Sequence, residues 1–325
     1  MNRRALLLAA SAATAFAAAS ARAETAVEIP AWSPVIGQRI AYQIQMSSGV
    51  GETAAANLPP AEFGDYIEHA TVLAHTDTGY TILWELSSEI SPGADPFNAA
   101  LGIDKYYGIN KNHKDALSYF GIDQIEIKTD LAGVPEMMAL TPDESYVSGE
   151  NRFDSMALQQ QQLRKSGRNP LESIVPQAFL LGHMQARVAG PRIVGSHWSS
   201  DTTTTVGGSK VPVQIDWALK GIDERAQTAK IVWSGQADPA ALAAAWEAGR
   251  SARAIQQAIL DGLVRDMGAE PADPFPEKGR PAASFSGSAS VSLRDGSAIT
   301  VRETVISDDG RMRRATTTVV TRLDP

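Results

Sequence analysis

The chain of 325 residues has no cysteine, carries 29 Lys and Arg against 37 Asp and Glu for a formal charge of -8, and is 43% hydrophobic. With no thiol, disulfides, thiolate nucleophiles, Cys-ligated zinc, c-type haem and an acylated lipoprotein cysteine are all excluded. The acidic balance argues against a nucleic-acid partner, because binding phosphates needs a surplus of cations on one face.

In chain order, Arg3 and Arg4 precede an Ala- and Leu-rich run over 5–19, and Ala21-Arg22-Ala23 has the small-x-small form of a signal-peptidase site. This predicts a signal peptide over 1–23, cleaved before Glu24, with a twin-arginine flavour in Asn2-Arg3-Arg4. The run is shorter than the roughly 20 residues of a spanning helix, and no later run reaches that length. The expectation is a single exported domain over 24–325, without a membrane span after cleavage, in the periplasm or secreted.

Ile36, Ile40, Tyr42, Ile44 and Met46 alternate with polar or small residues and predict a first strand, followed by a loop over 48–62. A hairpin over 66–76 and 80–88 turns at Asp77-Thr78-Gly79, with Tyr80, Ile82, Trp84 and Leu86 on one face. Residues 95–120 are irregular and rich in Tyr and Phe, and 121–130 returns as a strand through Ile125 and Ile127. Thr141-Pro142-Asp143-Glu144 has capping-box spacing with Pro at the first helical position, and Asn169-Pro170-Leu171-Glu172 nearly repeats it. Two helices are predicted there. The second, over 171–186, is apolar round most of its circumference.

The clearest pattern is a meander over 192–206, 211–219 and 228–235, with Trp198, Trp217 and Trp233 one to a strand. Asp238-Pro239 opens a third helix to about 267, ended by Gly268 and a proline-rich connector. Three strands over 284–293, 299–307 and 312–323 close the chain. In the first of them serines at 284, 286, 288, 290 and 292 oppose Phe285, Gly287, Ala289, Val291 and Leu293. Residues 36–135 and 190–325 share an outline, which suggests a duplication with helical insertions at 141–186 and 239–267.

The fold class is therefore α+β: a curved antiparallel sheet, half-barrel-like and built of meander hairpins, with about three helices on one face. This element order, together with the export signal, resembles the periplasmic half-barrel carriers of the LolA and LolB type and uncharacterised exported proteins built on such meanders. The resemblance implies a concave sheet face partly closed by helices such as 170–186 over an apolar cavity, and it carries over no site residues. Phe179, Leu180, Met184, Trp217 and Trp233 are the candidate ligand-binding wall, with ordinary core as their other reading.

No catalytic residue, metal ligand or cofactor is predicted. His69 and His75 share one strand face if the strand is straight, but they stand about 20 Å apart, too far for one metal. Ser196 lacks a nucleophile elbow, and Glu85 and Glu89 stand about 13 Å apart along a strand. The functional expectation is an exported binding or carrier protein for a hydrophobic small molecule or lipid. The alternatives are a structural or assembly protein acting on another envelope protein, and a periplasmic hydrolase.

Overall fold

A strand can keep one side in water and the other in a core only by alternating, and most of this chain alternates. The computed structural model describes residues 26–52, 61–86, 122–142, 176–206, 209–250, 282–308 and 312–323, with isolated helical positions at 254, 258, 261, 262 and 265. In chain order these are β1 (Val27–Ile29), β2 (Arg39–Glu52), β3 (Ala61–Thr76), β4 (Gly79–Leu86), β5 (Ile122–Asp130), β6 (Pro135–Pro142), helix α1 (Pro176–Val188), β7 (Gly190–Arg192), β8 (His197–Val206), β9 (Ser209–Asp223), β10 (Thr228–Ala237), helix α2 (Pro239–Ala248), β11 (Ala282–Ser292), β12 (Ala298–Asp308) and β13 (Met312–Arg322).

Among the described residues eleven strands form one antiparallel sheet in the order β6-β5-β4-β3-β2-β13-β12-β11-β10-β9-β8, open at β6 and β8, while β1 and β7 form a separate pair. Two meanders are thus joined where the last strand meets the first strand of the sheet, Val320 standing opposite Ile44. One apolar row, Leu219, Ile231, Ala289, Val301, Val320 and Ile44, crosses this junction in register. Every member of the row is buried, so both halves turn the same face to the core.

That face is covered by α1, reached from the β6 edge and leading to the β8 edge. Ala178, Leu181, Gly182 and Gln185, at helical spacing, lie against Trp32, Tyr42, Val72, Ile82 and Trp84 of the N-terminal half. Phe179, Leu180, His183, Met184 and Arg187 face Trp217, Trp233 and Phe285 of the C-terminal half. Gly182 permits the approach: a Cβ there would strike the backbone of Gly133. With two sheet halves to face, the helix needs apolar residues nearly all round.

The same turn opens both meanders. Gly37 (φ 82°) donates to Val72 O and receives Val72 N at Gln38 O; Gly195 (φ 87°) donates to Leu219 O and receives Leu219 N at Ser196 O. Gln38 N and Ser196 N each close back on the carbonyl three residues earlier, at 2.9 Å. This turn also divides the expected strand over 192–206 into β7 and β8.

Several expectations are corrected. Two helices, not about three, are seen among the described residues. Thr141 and Pro142 end strand β6, in register with Gln124 and Ile122, rather than capping a helix; residues 143–175 lie outside the described residues. The cause is the turn before β6, where Asp130 Oδ1 accepts from Ala132 N and Val134 N at 2.9 and 2.8 Å and Gly133 takes φ 84°. On an edge strand the prolines at 135 and 142 lose no essential ladder bond. The expected loop over 48–62 is shorter, since β2 continues to Glu52 and β3 starts at Ala61. His69 and His75 do not share a face, because a register shift between Val72 and Ala74 turns His75 onto Tyr80, ring centroids 4.6 Å apart. The third expected helix does start at its cap, with Ala241 N donating to Asp238 Oδ1 at 2.6 Å.

Candidate functional site: a tryptophan-walled cavity under helix α1

Strict alternation on β8, β9 and β10 sends Trp198, Trp217 and Trp233 to the inner face, and the pairing sets them side by side in register. Ring centroids are 6.3 Å apart for the first pair and 5.3 Å for the second. Each polar tip finds an acceptor: Trp198 Nε1 donates to Arg187 O at 3.1 Å, Trp217 Nε1 to Ser200 Oγ at 2.9 Å, and Trp233 Nε1 to Glu303 Oε2 at 3.1 Å. With these bonds made, the indole bodies can stay in an apolar setting at no polar cost. Trp233 needs a glycine beside it on β11, because a Cβ at Gly287 would collide with its indole.

α1 leaves very different room on its two sides. Toward the N-terminal half, where Trp32, Tyr42, Tyr80 and Trp84 fill the space, about 30 Å³ remains. Toward the C-terminal half a cavity of about 370 Å³ opens between Phe179, Leu180, Met184 and Arg187 on the helix and Trp217, Trp233, Phe285 and Glu303 on the sheet. That volume lies in the range of small-ligand sites, and the lining is mixed, its aromatic and aliphatic residues joined by Thr202, Thr203, Thr204, His183, Arg187 and Glu303. A larger depression of about 790 Å³ is lined by polar residues of the opposite face, among them Asp201, Gln214, Asp216, Ser234, Ser286 and Thr304, with Phe285 as its one aromatic.

The structure brings all five wall residues named from the sequence, Phe179, Leu180, Met184, Trp217 and Trp233, to this one cavity. Its lining also includes residues that pattern reading did not assign to a site, among them His183, Arg187, Phe285, Glu303 and the threonines at 202–204. Glu303 carried a readable signal, since it occupies the apolar parity of β12 between Val301 and Val305. Burial raises its carboxyl above the usual range, with the Trp233 bond opposing. His183 is held below its ordinary value by burial first and by the Arg187 charge second, so at neutral pH its ring is uncharged. Arg187 is itself pulled down by burial.

The end of α1 is tied in place by Arg192, which donates to the carbonyls of Arg187, Val188 and Ala189 at 3.3, 3.4 and 3.1 Å and lies over the Trp198 ring, 4.2 Å from its centroid. Ser196 sits in the turn before β8, where its carbonyl accepts from Leu219 N. Glu85 pairs with Arg39 at 3.8 Å, and Glu89 lies outside the described residues. Among the described residues no group of three or more His, Asp or Glu could hold a metal, and no helix is long and apolar enough to cross a membrane.

No protein-family model and no curated protein matches the chain. Among solved structures, one of lipid–protein interactions in lipovitellin shares 8% identity over 89% of this chain at a TM-score of 0.39. This chain spans 25% of that one. An outer membrane channel from Pseudomonas putida F1 shares 8% identity over 90% of this chain and 97% of its own, at a TM-score of 0.15. Likenesses of that size carry no argument about fold or ligand.

Proposed function

We propose that this protein is an exported binding or carrier protein of the cell envelope for an apolar, lipid-like ligand, held between α1 and the tryptophan face of the sheet. The observation that carries the reading is the asymmetry beneath α1: one helix, packed almost without gaps on one side, stands off from an aromatic wall on the other. The space is open to solvent along one side, so an apolar ligand that displaced water from its lining would be held by the burial of its own apolar surface. The half-barrel resemblance and the export signal in the sequence support the same reading.

The test is a titration of a fluorescent fatty-acid probe into wild type and Phe179→Ala, with a denaturant curve for each. Binding should weaken about tenfold while stability falls by less than the roughly 3 to 5 kcal/mol that truncating a fully enclosed Phe costs. A wild type that binds no acyl chain sinks the reading. So does a mutant whose loss of binding only tracks its unfolding.

A second reading, an assembly partner of another envelope protein, rests on a different observation: among the described residues the sheet is open at β6 and β8. Open edges can accept a strand from another chain. Native mass spectrometry of protein purified from its own envelope separates the two. A co-purifying lipid favours the carrier, and a co-purifying protein with an empty cavity favours the assembly partner.

A further inference from the structure

We infer that the ligand of this cavity is an anionic amphiphile, whose chain lies along Trp217, Trp233 and Phe285 and whose carboxylate or phosphate is bound by the Arg187 guanidinium. This rests on the carrier reading above and names its substrate class.

Arg187 is half-buried in the cavity lining. A partly desolvated guanidinium is usually matched by a carboxylate, because removing it from water is costly. Among the described residues no Asp or Glu forms an ion pair with it. Glu303, a carboxyl in the same lining, is engaged with the Trp233 indole and is raised by burial toward its uncharged form. His183, one helical turn earlier on the same stripe, is uncharged at neutral pH and offers a ring N–H rather than a second charge.

Position reinforces chemistry. The Arg187 carbonyl is already used by Arg192 and by the Trp198 indole, so the backbone from which the side chain springs is anchored to both the helix end and the sheet. The Arg187 side chain therefore leaves the helix where its backbone is bonded to Trp198 of β8, the edge strand among the described residues. An amphiphile entering there would leave its head at the guanidinium and slide its chain along the tryptophans. A guanidinium binds carboxylate and phosphate alike through paired N–H donors.

Three ligands that share one chain decide it: dodecanoate, dodecyl phosphate and dodecanol, each competing with a fluorescent acyl probe on wild type, Arg187→Lys and Arg187→Met. Wild type should bind at least one of the two anions about tenfold or more tightly than the alcohol. Arg187→Met should abolish that preference while leaving dodecanol affinity within about twofold, and Arg187→Lys should keep part of it. The stronger of the two anions identifies the head group. Equal binding of all three by wild type overturns the anionic assignment and leaves the carrier reading intact, whereas binding of none overturns the carrier reading itself. Unchanged discrimination in Arg187→Met places the anion elsewhere and overturns the role of Arg187. Dodecanol affinity serves as the folding control within each variant.

Discussion

Glu68 lies on the inner face of β3 directly opposite Tyr42, only 3% exposed. Gln177 of α1 donates to its Oε1, while its Oε2 has no hydrogen-bond partner among the described residues. Burial is the larger influence and pushes the carboxyl up to about 8, against the Gln177 bond. In the unfolded chain the group titrates near 4.5. Between those values the folded protein keeps a proton that the unfolded chain releases, so its contribution to stability is full below about 4.5, falls as pH rises, and levels off above about 8. Glu68→Gln keeps the shape and the hydrogen-bonding capacity of the protonated acid and removes the titration. Urea curves for both proteins should coincide near pH 4.5 and separate by a few kcal/mol near pH 8.5, with the mutant the more stable and about 5 kcal/mol as the ceiling. Parallel pH profiles would mean that Glu68 is solvated or paired. The signal was present in the sequence, because Glu68 shares the parity of Ala70 and Val72, but a single charge on an apolar face reads as noise until the helix above it is placed.

Among the elements, β11 shows how well alternation reads a strand and where it stops. Its serines at 286 and 288 are exposed while Ala289 and Val291 are buried. Ser292 is buried, because the ladder shifts between Ser290 and Val291 and the chain turns inward, Ser292 N donating to Ser297 O at 2.8 Å. Ser286→Lys should therefore change stability by no more than about half a kcal/mol, whereas Val291→Asp, which places an unpaired charge in the core, should cost several. Thermal melts of the two variants check this, and comparable losses would show the strand buried on both sides. A shift of the same kind in β3 separates His69 from His75. Bulges defeat parity arguments because one added residue flips every side chain beyond it.

For the whole molecule, the two meanders depend on one junction, β13 against β2, and on one helix that serves both inner faces. The lead-in to β2 adds a further tie. Trp32 sits edge-on to Tyr80 with centroids 5.1 Å apart, and Ser33 N donates to Asp295 O at 3.0 Å, linking the N-terminal half to the β11–β12 turn. Export belongs to this scale too. Residues 1–30 fused to a reporter active only outside the cytoplasm should yield signal, and N-terminal sequencing of the mature product should begin at Glu24. A product that retains Met1 refutes the cleavage.

Local rules reach the strands, their faces, the α2 cap and the Trp triplet, because a period of two and a side chain accepting from the first helical turn are properties of a few neighbouring residues. Phe179, Leu180 and Met184 could be named for the same reason: a helix apolar nearly all round must have partners on several sides. What those partners are was decided only by tertiary structure. The pairing of β13 with β2 joins residues about 270 positions apart in the chain, such as Val320 and Ile44, and no local pattern encodes such a partner. Of the charged residues of the cavity, Glu303 is marked in the sequence only by its apolar parity on β12, and Arg187 looks like an ordinary surface residue of its helix. They become neighbours of the same space because α1 is laid across a sheet whose two halves leave it unequal room.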